Sequence, residues 1–113
     1  MFVRIARFEG GTTAQIEEEA VRIRQDLGAA RGGESASEIP DELARLTKRV
    51  ELLIDRDRGS VAMLVYAETE DQIRDVDRIM DGMSPSSPGW GERVSVETYE
   101  VYLDESPQLA QAA

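Results

Sequence analysis

The sequence predicts an α+β domain with four antiparallel strands in one sheet and two long helices on one of its faces. Three observations carry that expectation. Two apolar, β-branched runs flank Asp55-Arg56-Asp57-Arg58-Gly59, a polar five-residue connection closed by glycine, which marks an antiparallel hairpin over residues 50–67. A strand followed by a threonine-capped helix occurs twice, with Thr12 and Gln15 heading the first helix and Thr69 and Gln72 the second. The chain also opens and closes on runs of strand character, Phe2 to Phe8 and Arg93 to Leu103.

In the first strand only Arg4 and Arg7 interrupt the apolar residues, and Gly10-Gly11 ends it. Ile16, Ala20, Ile23 and Leu27 then recur on one stripe of a helix over residues 13–28, while Glu17, Glu18 and Glu19 form a solvated face in its early turns. Residues 28–39 hold three glycines and two serines and read as a surface loop. Pro40 opens a short helix at its first position, with Leu43 and Leu46 turned inward. Beyond the hairpin, Ile73, Val76, Met80 and Met83 form the second helical stripe, and the proline- and glycine-rich stretch from Met83 to Gly91 ends that helix. The last strand alternates Val94, Val96 and Thr98 against Ser95, Glu97 and Tyr99, then closes on Val101-Tyr102-Leu103. Residues 1–104 make one domain, and residues 105–113 read as a tail that frays.

Composition sets outer limits. One domain of 113 residues buries on the order of two thirds of its unfolded surface without staples. The chain has no cysteine, which removes disulfides, thiolate nucleophiles and thiolate metal sites and fits a cytoplasmic location. Arg4 and Arg7 inside the first apolar run mark a strand rather than a signal peptide, and no apolar run approaches the roughly 20 residues that span a bilayer. A soluble protein without membrane contact is expected. The net charge of -10 argues against nucleic acid, whose binding rests on clustered Lys and Arg.

The order β-α-(short α)-β-β-α-β, with right-handed crossovers, is the ferredoxin-like arrangement, with its helices on one face. Val61 to Val65 is apolar on both side-chain parities, so both faces of the sheet are expected to be buried. The chain has no spare element for the second face. A homodimer packed sheet face to sheet face meets the need.

MFVRIARFEGG, VELLIDRDRGSVAMLVYAETEDQI and VSVETYEVYLD resemble the dimeric α/β-barrel group that includes the antibiotic biosynthesis monooxygenases, and its small actinobacterial members. The likeness covers about residues 1–104 and lies in element order and strand character. It implies a homodimer with a pocket between sheet and helices, in which some relatives oxidise polycyclic aromatic substrates without metal or flavin and others degrade haem. Haem-degrading relatives depend on an Asn, Trp and His set, and this chain has neither His nor Asn. Cofactor-free relatives bind a phenolate-like substrate through Asn, Trp and Arg, and here Trp90 and Arg4 are partial counterparts by element. The resemblance thus implies cofactor-independent oxidation or binding of a small aromatic molecule, with no cofactor and no metal. The alternative is a non-catalytic homodimeric ligand-binding or structural accessory protein.

Five residues are candidates for a ligand site: Arg4, Tyr66, Trp90, Glu97 and Tyr99. Arg4 stands in an apolar strand, so it either reaches solvent or meets a partner. Glu97 and Glu100 on the neighbouring last strand are the expected partners, and a ligand anion is the alternative. Trp90 either caps one end of the core or gates a pocket. Tyr66 and Tyr99 are amphipathic strand residues that pack their rings or present their hydroxyls. Without His or Cys, acid–base chemistry falls to Glu, Asp, Tyr or Lys with shifted pKa values, and no catalytic motif stands out. Asp55 and Asp57 suggest a calcium loop, but the glycine falls at the fifth position and Tyr66 stands at the twelfth, so they read as turn residues.

Overall fold

The structure is a computed structural model that describes residues 1–31, 39–83 and 90–107. Most of the expected loop (32–38), most of the proline-rich stretch (84–89) and the end of the tail (108–113) lie outside the described residues. The elements are β1 (Phe2–Gly10), α1 (Thr13–Arg31), α2 (Asp41–Leu46), β2 (Arg49–Asp55), β3 (Ser60–Ala67), α3 (Glu70–Met83) and β4 (Gly91–Glu100). The four strands form one sheet in the order β2-β3-β1-β4, antiparallel at every pairing. No described helix is long and apolar enough to cross a membrane.

The central hairpin forms for local reasons. Asp55 pairs with Ser60 and so belongs to the strand, which shortens the connection to Arg56-Asp57-Arg58-Gly59. Its carboxylate accepts the backbone N–H groups of Asp57 at 3.1 Å and Arg58 at 3.2 Å, and Gly59 supplies the φ of +66° that closes the turn. The aspartates are therefore turn-forming groups, with Asp55 spent on backbone donors.

Both long helices start with the expected reciprocal cap. Thr12 and Gln15 exchange side-chain to backbone bonds at 3.2 Å each, and Thr69 and Gln72 do the same at 3.2 and 3.3 Å. Helix α1 runs past Gly28 to Arg31, because Ala29 and Ala30 are good helix formers and one glycine costs only about 1 kcal/mol. Pro40 precedes α2 in an extended conformation instead of occupying its first turn.

Register shows which side chains share a face. Arg4, Ala6 and Phe8 of β1 oppose Val65, Met63 and Val61 of β3, and these residues face the helices. Ala6, Phe8 and Val61 pack with Ile16 of α1 and with Trp90, while Val65 and Ala67 pack with Ile73 and Val76 of α3 and Leu43 of α2. Of the expected inward residues, Met83 is exposed on the last turn of α3. Val94 is exposed as well, because β4 carries an irregularity opposite Arg7 and Phe8 that leaves it without a partner in β1.

One further expectation is corrected. Strand β4 ends at Glu100, opposite Phe2 at the start of β1, and the Met1 carbonyl accepts the N–H of Val101 at 2.9 Å. The second face of β3, which the sequence leaves without a covering element, is partly exposed at Ala62, Leu64 and Tyr66.

Candidate functional site

The uncovered sheet face is built from three rows of four residues, each following from the strand registers. Arg49, Tyr66, Val3 and Tyr99 form the first row; Glu51, Leu64, Ile5 and Glu97 the second; Leu53, Ala62, Arg7 and Ser95 the third. The middle of this face is apolar. Its two flanks repeat one motif.

On the β2–β3 flank, Glu51 accepts a hydrogen bond from the Tyr66 hydroxyl at 2.7 Å and one from Arg49 at 3.0 Å, and the Arg49 guanidinium lies 5.6 Å from the centre of the Tyr66 ring. On the β1–β4 flank, Glu97 accepts from the Tyr99 hydroxyl and from Arg7 at 3.4 Å. Each carboxylate thus sits between an arginine and a phenol. The hydrogen bond from Tyr66, aided by Arg49, holds the Glu51 carboxyl below its ordinary range, and the hydrogen bonds from Tyr99 and Arg7 do the same for Glu97. The reciprocal effect raises both phenols, because losing the proton would leave each beside a carboxylate. At neutral pH these are charged acceptors and protonated donors, an arrangement that can orient polar groups.

Arg4 lies on the opposite face. Its parity in β1 places it opposite Thr98, so of the two expected partners Glu97 lies on the other face, and Glu100, on the same face, stands opposite Phe2 and lines the hollow beside α3. Its guanidinium meets α3 instead, with Nε 2.8 Å from Asp77, one terminal nitrogen 3.2 Å from Asp81 and the other 3.6 Å from the sulfur of Met80. Asp81 also accepts from Arg93 of β4 at 3.0 Å. At 2% exposed, Arg4 is the buried end of a clamp joining β1, β4 and α3.

Trp90 lies in the core, its ring centre 5.2 Å from that of Phe8, and its Nε1–H finds no acceptor among the described residues. Glycines allow its backbone to approach β1. A Cβ on Gly11 would lie 2.6 Å from the Trp90 carbonyl carbon, and one on Gly91 only 2.1 Å from the carbonyl oxygen of Glu9. Of the five sequence candidates, Tyr66, Glu97 and Tyr99 share the open face, with Val3 between the two tyrosines, whereas Arg4 and Trp90 lie behind the sheet.

An open hollow of 350 Å³ lies between α3 and the β1–β4 pair, with Phe2 and Ile73 beside the charged Glu70, Arg74, Asp77 and Glu100. Its size suits a small molecule, but so charged a lining does not suit an aromatic one.

Arg7, Arg49 and Glu51 escape the sequence reading. A signal for two of them was present: counting outward from the hairpin turn sets Glu51 opposite Leu64 and Arg49 opposite Tyr66, which puts all three polar residues on one face. No protein-family model matches this chain, and no curated protein matches its sequence.

Proposed function

We propose that the protein is a homodimer of ferredoxin-like subunits that binds a small molecule with an apolar or aromatic body between its two sheets, as a non-catalytic cytoplasmic binding or accessory module of the dimeric α/β-barrel kind. The observation that carries this reading is the uncovered sheet face: an apolar centre of Val3, Ile5, Leu64 and Ala62 framed by two arginine–glutamate–tyrosine groups. A second copy of the chain is the favoured cover because the charges on the three rows cancel, Arg7 and Arg49 against Glu51 and Glu97, on a chain whose net charge is -10. Two such chains repel generally and approach best through a neutral face. The element order and the helices on one face of an antiparallel sheet are compatible with the ferredoxin-like reading.

Binding is favoured over cofactor-free oxygenation by the direction of the pKa shifts. A general base works best with a pKa near the working pH, and here the carboxylates move down while the phenols move up. Native mass spectrometry of the protein purified from its own host tests the reading. A dimer that retains an apolar small molecule, lost on Leu64→Glu substitution, is the expected result. A dimer that binds no member of an aromatic and lipid-like compound panel would refute the ligand role.

A further inference from the structure

Strands β2 and β4 are the two edges of the sheet, and no described strand pairs with the outer side of either. An open edge invites another strand unless a bulge, a proline or an inward charge spoils it. The two edges differ in this respect. Strand β4 has its irregularity opposite Arg7 and Phe8, whereas β2 keeps one unbroken register against β3 from Arg49 to Asp55, with neither proline nor glycine in RVELLID. The apolar middle of β2 is only part-covered: Leu52 and Ile54 lie at the margin of the core, and Leu53 is half-exposed on the open face.

The strand is also complementary to itself in reverse. Antiparallel copies related by a two-fold axis normal to the sheet must pair residues that share a face, so the axis falls on a residue and not between two. Centred on Leu52, Arg49 stands opposite the partner's Asp55, Val50 opposite the partner's Ile54, and Leu52 opposite the partner's Leu52. The other central choices bring like charges together. Centring on Glu51 sets it against the partner's Glu51, and centring on Leu53 sets Glu51 against the partner's Asp55. Asp55 has capacity for the contact, since Oδ1 serves the turn while Oδ2 lies at 4.0 Å from the exposed Arg58.

We propose that two copies of the chain join β2 to β2 in the register centred on Leu52, making one continuous antiparallel sheet. The seam carries the apolar helix-side row of Val50, Leu52 and Ile54 from one copy into the other and closes each end with an arginine–aspartate pair. It is a contact distinct from the sheet-face dimer and does not rest on it: the axis is normal to the sheet and leaves the open face free, so each contact forms without the other. A seam seven residues long is a small interface, and small interfaces associate weakly, so it is filled at higher concentration than the sheet-face dimer.

Leu52→Cys tests the register, since the chain has no other thiol. Paired antiparallel residues have Cα atoms about 4.5–5.5 Å apart, within disulfide reach. Leu52 packs on the helix side, so the sheet-face dimer cannot bring its thiols together. In the full chain at up to about 1 mM, mild oxidation of Leu52→Cys is expected to give a disulfide-linked species of twice the chain mass, and to do so equally when Leu64→Glu has removed the sheet-face contact. Val50→Cys, displaced from its own copy by four residues or roughly 13 Å along the seam, should not link. A second variant leaves Leu52 in place: Arg49→Glu sets an acid against the partner's Asp55 at both ends. It should weaken self-association of the Leu64→Glu chain about tenfold or more in sedimentation velocity, with an unchanged circular dichroism spectrum. A folded Leu52→Cys chain that stays unlinked, Val50→Cys that links as readily, or Arg49→Glu that associates undiminished overturns the β2 seam and leaves the sheet-face dimer standing. Linking that disappears with Leu64→Glu overturns it as well, because the edges would then meet only through the sheet faces.

Discussion

The hydroxyl of Tyr66 donates to Oε1 of Glu51 at 2.7 Å, diagonally across the β2–β3 ladder. This bond makes two pKa values interdependent. Glu51 is lowered from an ordinary value of 4.5, so its contribution to stability is present above that value and is lost as pH falls through the lower folded pKa. Tyr66 is raised from 10.0, so its contribution is present below that value and is lost as pH rises through the higher folded pKa. Tyr66→Phe should return the Glu51 carboxyl toward its ordinary value in a carbon-detected NMR titration, at a stability cost of at most about 1 kcal/mol for so accessible a pair. An unmoved Glu51 titration would mean that the bond is not formed in solution.

Arg4 is buried while its aspartate partners are half-exposed, so the two sides of the clamp respond differently to mutation. Asp77→Asn leaves a buried guanidinium with less compensation and is expected to cost about 2 kcal/mol in urea unfolding. Arg4→Met removes the buried charge while keeping much of the packing volume, and should cost less than Asp77→Asn. The reverse order would show that Arg4 contributes mainly through its own contacts.

Gly91 has φ +104° and no room for a side chain against Glu9 and Gly11. Gly91→Ala should therefore destabilise the protein by about 3 kcal/mol or more and loosen the packing of Trp90, read as a shift in its fluorescence. Gly28→Ala, where a Cβ meets nothing, should instead be neutral or stabilising.

The paired caps give an internal comparison. Helix α3 contributes Ile73 and Val76, both buried, whereas α1 contributes Ile16 as its one buried residue among those whose burial is described. Thr69→Ala should lower global stability by about 1 kcal/mol. Thr12→Ala should appear mainly as faster amide exchange in α1, with a smaller change in the unfolding midpoint.

These contrasts show what was legible in the sequence. The hairpin, the two threonine caps and the apolar stripes are local signals, and they place β2, β3 and the starts of α1 and α3 correctly. The pairing of β1 with β4 is not local. Its irregularity near Arg7 and the end of the ladder at Phe2 and Glu100 decide that Val94 is exposed and that Tyr102 and Leu103 leave the sheet. Arg4 was recognisable as a buried charge needing a partner, but choosing Asp77 over Glu97 required knowing its parity against α3. Among the candidate site residues, the tyrosines and Glu97 stood out as polar groups on strands. Arg7, Arg49 and Glu51 join them only once the rows are aligned.

The proposed homodimer requires a second copy to cover the open sheet face. Sedimentation equilibrium of the full chain at micromolar concentration tests that directly. The predicted result is a species of twice the 12.5 kDa chain mass that dissociates when Leu64→Glu or Ile5→Glu places a charge in the apolar centre of the face. A 12.5 kDa monomer at every concentration, folded and carrying its sheet face bare, would contradict it.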